Sequence, residues 1–194
     1  MTDRAAAADS TDTDTHTHTD SDTITLGGGC FWCLEAVYEQ VRGVLDVEPG
    51  YSNGQVRAPT YEQVCRGDTG HVEVVRVVFD PAQVSLRQLL EVFFVVHDPT
   101  TLNRQGNDVG PQYRSGIYVH DERQAAVARE VMDEVNAACG GRVVTELAAE
   151  HNYWPAEAYH RHYFASHPEQ GYCAYVVAPK VDKFRRTFAQ LQRS

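Results

Sequence analysis

The sequence predicts an α/β or α+β sandwich in which helices pack on a central sheet. Segments with apolar residues at helical spacing alternate with short runs typical of strands, and glycine-rich turns separate them. Residues 71–79 form the best predicted strand, because valines and a phenylalanine make it apolar on both alternating faces. A strand buried on both sides lies at the centre of its sheet. The chain of 194 residues is long enough for one domain with its own core.

The other elements of the first half follow from local patterns. In chain order, the sequence predicts a strand over residues 24–26, a helix over 30–42, a strand over 44–51, a short helix over 60–65 and a helix over 86–94. Gly43 suits the position just past a helix end. Pro81 breaks the central strand, and Ser85 is suited to cap the helix that follows it.

The second half begins with a long polar loop over residues 98–114. Long ordered loops rich in Asn, Asp, Gln, Arg and Gly tend to be functional, although a surface excursion fits equally well. After it the sequence predicts a strand over residues 117–119, a helix over 122–139, a strand over 143–144, a short helix over 159–164 and, beyond residue 177, a basic C-terminal helix. In the long helix, we expect the inward face to contain Ala126, Val127, Val131, Val135 and Ala138.

The first 23 residues differ from the rest in composition, with seven Thr, six Asp and a single Arg. A segment with so few apolar groups cannot offset the conformational entropy that it would lose on folding. We therefore expect a disordered acidic tail over residues 1–23 and one domain over residues 24–194. The formal net charge of −10 argues against a nucleic-acid partner. Neither a signal peptide nor an apolar stretch of about 18 residues is present, which predicts a cytoplasmic protein without a membrane segment.

Five cysteines, at positions 30, 33, 65, 139 and 173, make an odd and sparse set. Without an export signal, such a set indicates reactive or buried thiols rather than a disulfide framework. Cys30 is predicted in the first turn of a helix, where unpaired N–H groups and the positive dipole end favour the thiolate. We expect Cys65 to be buried and Cys139 to close a helix, and we assign neither a role.

Cys30 and Cys33 form a C-x-x-C pair at this helix start, and three interpretations are open. The two thiols act as a redox pair, or Cys30 is a lone nucleophile beside a small helical residue, or both are buried small hydrophobes. Three glycines precede Cys30, and ordering them costs conformational entropy. This cost favours a reactive Cys30 over an inert thiol. A metal site is disfavoured, since zinc needs four ligands and no second C-x-x-C occurs.

Glu73 is conspicuous because it lies near the start of the apolar central strand. An acid there is either at the solvent end of the strand or in a pocket that raises its pKa by desolvation. In the second case a protonated carboxyl and a thiolate could coexist near neutral pH.

Seven short motifs occur in order between about residue 23 and residue 179. They are Gly28-Gly29-Cys30-Phe31-Trp32, Gly50-Tyr51, Pro59-Thr60-Tyr61, Thr69-Gly70-His71-Val72-Glu73, residues 97–114, Pro155-Ala156-Glu157 and Gly171-Tyr172-Cys173. Together they resemble the A-type peptide methionine sulfoxide reductase family. The resemblance implies a mixed sheet in a ferredoxin-like plait, with no metal or organic cofactor. It also implies that a monomer reduces the S epimer of methionine sulfoxide, free or in proteins, with thioredoxin as reductant.

The resemblance also implies roles for individual residues. Cys30 would attack the sulfoxide sulfur and become a sulfenic acid, while Glu73 would give the oxygen its proton. The other implied roles are a methyl pocket from Phe31 and Trp32, hydroxyl donors from Tyr51 and Tyr113, and a supporting carboxylate from Asp108.

A second thiol must then resolve the sulfenic acid as an intramolecular disulfide. Cys173 stands at the family's resolving position, on an extended C-terminal segment that Gly171 would make mobile. Cys33 replaces a frequent glycine and is a rival resolver, and Trp154 stands where a smaller aromatic residue is usual. Two alternatives to sulfoxide reduction are dithiol exchange by Cys30 and Cys33, and a non-catalytic thiol or metal-binding module.

Overall fold

The computed structural model describes residues 20–194. The strands are β1 (Asp22–Gly27), β2 (Val44–Ser52), β3 (Val72–Phe79), β4 (Arg104–Gln105), β5 (Asp108–Val109), β6 (Gly116–Val119), β7 (Glu146–Ala149) and β8 (Trp154–Pro155). The helices are α1 (Phe31–Tyr38), α2 (Tyr61–Cys65), α3 (Leu86–Val96), α4 (Glu122–Ala138), α5 (Tyr163–Ser166) and α6 (Ala178–Thr187). Residues 1–19 of the predicted disordered tail lie outside the described residues. The end of the predicted tail is wrong, because Asp22 and Thr23 already belong to β1.

The main sheet is mixed, with the strand order β7-β6-β1-β3-β2-β8. Neighbouring strands are antiparallel except β6 and β7, which run parallel. Strand β3 lies between β1 and β2, as its apolar pattern predicted. The inner order β6-β1-β3-β2, connected through α1 and α3, is that of a ferredoxin-like plait. The predicted α+β fold class is therefore confirmed.

One face of the sheet carries the main apolar core, under α1, α3 and α6. Val75 and Val77 of β3 point into this core, whereas Val72 and Val74 belong to a smaller cluster on the opposite face. Because side chains alternate along a strand, Glu73 lies on the same face as Val75, under α1.

Polar caps begin the helices at the expected places. Thr60 caps α2 and Ser85 caps α3, and in both cases a glutamine three residues later bonds back to the N–H of the cap residue. The side chain of Asp121 caps α4 by accepting the backbone N–H of Gln124 at 2.7 Å.

Helix α1 is shorter than the predicted helix over residues 30–42. It ends at Tyr38, because the C-terminal segment binds the backbone that would continue it. The N–H of Arg42 donates to the carbonyl of Leu191 at 2.7 Å, and Val41 forms a bridge with Gln192. This contact between distant parts of the chain replaces the last helical turn.

The inward face of α4 is confirmed at three of the five predicted positions. Val131 is buried, and Val127 and Val135 are partly buried against the core, whereas Ala126 and Ala138 are exposed. The inward face also contains Gln124, whose amide donates to the carbonyl of Thr23 at 2.7 Å. A polar side chain thus faces the sheet, which an apolar pattern cannot reveal.

Other predictions in this part of the chain were also wrong or incomplete. The strand after α4 is β7, not residues 143–144, since the N–H of Val144 donates to the carbonyl of Pro99 instead of to a strand. The polar loop over residues 98–114 contains the hairpin β4–β5 and a 3-10 turn, Pro111–Tyr113. The predicted helix over residues 159–164 is a 3-10 turn, Ala158–His160, followed by α5.

Two cysteine predictions have different outcomes. Cys139 does close α4, but Cys65 is exposed at the end of α2, where the short helix leaves its side chain at the surface. No helix within residues 20–194 is long and apolar enough to cross a membrane.

Candidate active site

The site is built around Cys30, which lies directly before α1 and serves as its N-cap with extended backbone angles. The sequence predicted Cys30 inside the first helical turn, whereas the helix begins one residue after it, at Phe31. Gly29 precedes it with a φ of 88°, and a Cβ there would lie 2.8 Å from Cγ of Gln105. Only glycine fits this turn without strain, so the turn fixes the point at which the thiol leaves the backbone.

Glu73 lies beneath the start of α1 and is only 1% exposed. Its Oε2 accepts the backbone N–H of Phe31 at 3.1 Å, so the carboxyl is tied to the residue after Cys30. Burial raises the pKa of Glu73 to about 8, and the nearby charges of Asp108 and Cys33 also raise it. The structure thus places Glu73 in a pocket rather than at the solvent end of β3, and its carboxyl keeps its proton at neutral pH.

Aromatic rings surround the side chains that follow Cys30. The ring of Phe31 is buried, with its centroid 5.7 Å from that of Tyr51 and 4.9 Å from that of His160. The indole of Trp32 stacks on Tyr163 at 3.8 Å and donates its Nε1–H to Nδ1 of His160 at 3.0 Å. Phe31 and Trp32 thus offer an apolar wall next to the thiol.

Three tyrosines line the same region. The hydroxyl of Tyr51 donates to Oε1 of Glu157 at 2.9 Å, and Oε2 of Glu157 accepts the N–H of Tyr61 at 3.1 Å. Burial, and then the charge of Glu73, raise the pKa of Tyr113. Burial also raises the pKa values of Tyr51 and Tyr61, so all three phenols remain hydrogen-bond donors near neutral pH.

Cys33 is buried one helical turn from Cys30, and its backbone N–H donates to the carbonyl of Cys30 at 3.1 Å. Burial raises the pKa of the Cys30 thiol, whereas interaction with the side chain of Cys30 lowers the pKa of Cys33. The sequence predicted the thiolate at Cys30, because the helix start favours it there. In the structure burial outweighs the helix end at Cys30, so the pKa is raised at Cys30 and lowered at Cys33, the reverse of what the helix start predicts.

Tyr172 connects this pair to the polar loop and to the C-terminal cysteine. Its hydroxyl donates to Oδ2 of Asp108 at 2.5 Å and lies 3.9 Å from Sγ of Cys33. Cys173 follows directly and is fully buried, where burial and the charge of Cys33 raise its pKa. It begins a π-helical turn, Cys173–Val177, so its segment is folded against α1 rather than the mobile one expected from Gly171.

The structure brings together the residues that the sequence singled out, and it adds several that sequence reasoning missed. The added residues are Tyr61, His160 and Tyr163. His160 is fully buried and its Nε2 has no hydrogen-bond partner among the described residues. No local pattern marks these side chains, because His160 meets Trp32 across 128 positions of sequence.

One group within residues 20–194 has the residue types of a metal site, namely Glu35, Glu39 and His162. Their ligand atoms lie within 4.8 Å of one another. The carboxylate of Glu35 already accepts two backbone N–H groups, from His162 and Tyr163.

Comparisons with known proteins identify relatives over most of the chain. The family model for peptide methionine sulfoxide reductase matches residues 22–192. A protein named peptide methionine sulfoxide reductase MsrA from Polynucleobacter asymbioticus is 56% identical over 169 residues, which cover 86% of this chain and 89% of the relative.

Solved structures give the same result. The reduced form of Mxr1 from Saccharomyces cerevisiae matches with a TM-score of 0.75 and 35% identity, over 79% of this chain and 89% of that chain. Mxr1 in complex with Trx2 matches with a TM-score of 0.55 and 25% identity, over 78% and 91% of the two chains.

Proposed function

The chain belongs to the peptide methionine sulfoxide reductase family, and from this we propose that its Cys30 thiol reduces the S epimer of methionine sulfoxide, free or in proteins. It is an oxidoreductase of the methionine sulfoxide reductase class. One observation carries the assignment to Cys30 and Glu73. A carboxyl that keeps its proton at neutral pH bonds to the N–H next to the thiol.

The chemistry requires both groups. A sulfoxide oxygen is a poor leaving group until it is protonated, so the Glu73 carboxyl donates a proton to it as the Cys30 sulfur attacks the substrate sulfur. The proton of the Cys30 thiol restores the Glu73 carboxyl, so that no net proton is gained or lost. The oxygen is then transferred to Cys30, which becomes a sulfenic acid, and methionine leaves with the sulfur reduced by two electrons.

The surrounding residues bind the methyl group and the oxygen of the substrate sulfoxide. Phe31 and Trp32 form the apolar pocket for the methyl group, supported by the buried rings around them. Tyr113 donates a hydrogen bond to the sulfoxide oxygen, since its phenol remains protonated. Tyr51 donates to the same oxygen when its hydroxyl turns to the substrate from Glu157, its partner in the free protein. Asp108 holds Tyr172 at the edge of this pocket.

Regeneration of the thiol needs a second cysteine. We propose that Cys173 attacks the sulfenic sulfur, releases water and forms a disulfide that thioredoxin reduces. The burial of Cys173 beside Cys33 supports this order, and the complex of Mxr1 with Trx2 supports the choice of reductant. Cys33 is the rival resolver, because it is buried one helical turn from Cys30. Cytoplasmic location and a monomeric state stay predictions.

Turnover of separated epimers tests the proposal. The protein is incubated with dithiothreitol and either the S or the R epimer of a methionine sulfoxide substrate, and methionine is measured. We expect turnover of the S epimer alone, and Cys30→Ser is the matched control that should lose it. No turnover of the S epimer would refute the proposal. A protein that instead exchanged disulfides through Cys30 and Cys33 would be a dithiol enzyme, as their separation by one helical turn also allows.

A further inference from the structure

Glu35 is a buried acid that the proposed reaction does not use. It lies on α1 and is 1% exposed. Its Oε1 accepts the backbone N–H of His162 at 2.7 Å and its Oε2 accepts that of Tyr163 at 3.4 Å. A buried carboxylate is costly unless it has such partners, so its presence beside an active-site helix calls for a role.

The two N–H groups belong to the start of α5. His162 precedes this helix in a left-handed conformation, with a φ of 54°, and makes no cap of its own with its side chain. The first N–H groups of a helix have no partner inside it, so an acceptor from elsewhere must satisfy them. Glu35 therefore fixes the start of α5 from a different helix.

The segment that Glu35 holds is the one that fixes Trp32. Tyr163 stacks on the indole with the two rings 3.8 Å apart and 4° from parallel. His160 accepts the indole Nε1–H at 3.0 Å. Glu35 and Trp32 are three residues apart on α1, which places them on one side of the helix.

We propose that Glu35 is a positioning residue, which holds the Tyr163 ring against Trp32 and thereby shapes the methyl pocket. The inference rests on the proposed sulfoxide reduction. Glu35 touches neither the substrate nor the reacting sulfur, and it acts through the segment around α5. Its loss therefore weakens substrate binding more than it slows the chemical step.

The chain offers a matched control in Glu39. This acid is the C-cap residue of α1, four positions after Glu35, and its carboxylate pairs with Nδ1 of the same His162. The His162 side chain is 59% exposed, so water screens the pair and its contribution is small. Glu39→Gln thus removes a charge beside the same segment without freeing the backbone of α5.

The test combines kinetics with the fluorescence of Trp32. In steady-state assays with dithiothreitol and the S epimer, we expect Glu35→Ala to raise KM about tenfold with a smaller change in kcat. The KM of Glu35→Gln should lie between those of the wild type and of Glu35→Ala, because its amide oxygen can accept one of the two N–H groups. The KM of Glu39→Gln should stay within twofold of the wild-type value. In a Trp154→Phe background Trp32 is the only tryptophan, and its emission should shift in Glu35→Ala as it does in Tyr163→Leu.

Non-additivity provides the second test. If Glu35 acts through Tyr163, the double variant Glu35→Ala with Tyr163→Leu should have the KM of Tyr163→Leu alone. Wild-type KM and unchanged Trp32 emission in a folded Glu35→Ala protein would overturn the inference, as would additive effects. Should Glu35→Ala not fold, Glu35→Gln gives the same comparison. Wild-type protein without turnover would refute the proposed function, while Trp32 emission would still test the role of Glu35.

Discussion

At the scale of single residues, the pocket around Glu73 converts an ordinary carboxylate into an acid that is protonated near neutral pH. Two features produce this change, the burial of the side chain under α1 and the nearby charges of Asp108 and Cys33. The N–H of Phe31 favours the ionised form but is outweighed by burial.

Substitution of Glu73 should separate its two functions, those of hydrogen-bond donor and proton donor. Glu73→Ala removes both and should slow sulfoxide reduction by about 100-fold or more. Glu73→Gln keeps an N–H donor and should slow the reaction less than Glu73→Ala does. Single-turnover rates of methionine formation measure the difference, and equal losses in the two variants would contradict the donor role.

The raised pKa of Glu73 also predicts how stability depends on pH. Between its ordinary value of 4.5 and about 8, the folded state holds a proton that the unfolded state has released. The free energy of unfolding therefore falls as pH rises through this window, by up to about 1.4 kcal/mol per pH unit. Denaturant unfolding at several pH values should show this slope in the wild type and a shallower one in Glu73→Gln. Parallel slopes would indicate that Glu73 titrates normally.

At the scale of secondary structure, caps and turns fix where the functional side chains begin. Gly29 and the start of α1 place Cys30, and the hairpin β4–β5 inside the polar loop places Asp108. The cap of α3 is a purely structural counterpart, because Ser85 lies on the exposed surface.

Ser85→Ala should therefore lower stability without affecting activity. Loss of the hydroxyl that accepts the N–H of Gln88 is expected to cost about 1 kcal/mol in the free energy of unfolding. Ser85→Asp keeps an oxygen acceptor and should retain most of that stability. Urea denaturation gives both values, and a loss in Ser85→Asp as large as in Ser85→Ala would show that the cap is not the cause.

At the scale of the whole molecule, the fold brings cysteines from the two ends of the domain to one place. Cys30 and Cys33 come from α1, and Cys173 comes from the turn before α6. Tyr172 meets Cys33 across 139 positions of sequence. The proposed disulfide would join these ends.

Removal of each candidate resolver should identify that disulfide. With thioredoxin as reductant, Cys173→Ser should lose turnover, while dithiothreitol should restore it by reducing the sulfenic acid directly. Cys139→Ser is the control, because this cysteine ends α4 and has no proposed role. Mass mapping after one turnover should find Cys30 joined to Cys173 in the wild type. Turnover that persists in Cys173→Ser but fails in Cys33→Ser would make Cys33 the resolver.

Local patterns in the sequence predicted much of the fold. The valines of β3 indicated a central strand, and Ser85 and Thr60 marked helix starts, since such signals depend on neighbours within a few residues. The inward position of Gln124 on α4 was missed, because a polar side chain is buried there only through its hydrogen bond to β1. Cys65 was misplaced for a similar reason, as exposure depends on what packs over a short helix.

The sequence by itself determined the strand and helix alternation, the cysteine at a helix start and the acid within an apolar strand. Only the tertiary structure decided that Glu73 is buried under α1, that burial outweighs the helix end at Cys30, and that Trp32 lies between His160 and Tyr163. The physical reason is the range of the interactions. Propensity, capping and alternation act between close neighbours, whereas desolvation and side-chain pairing depend on residues that only packing brings together.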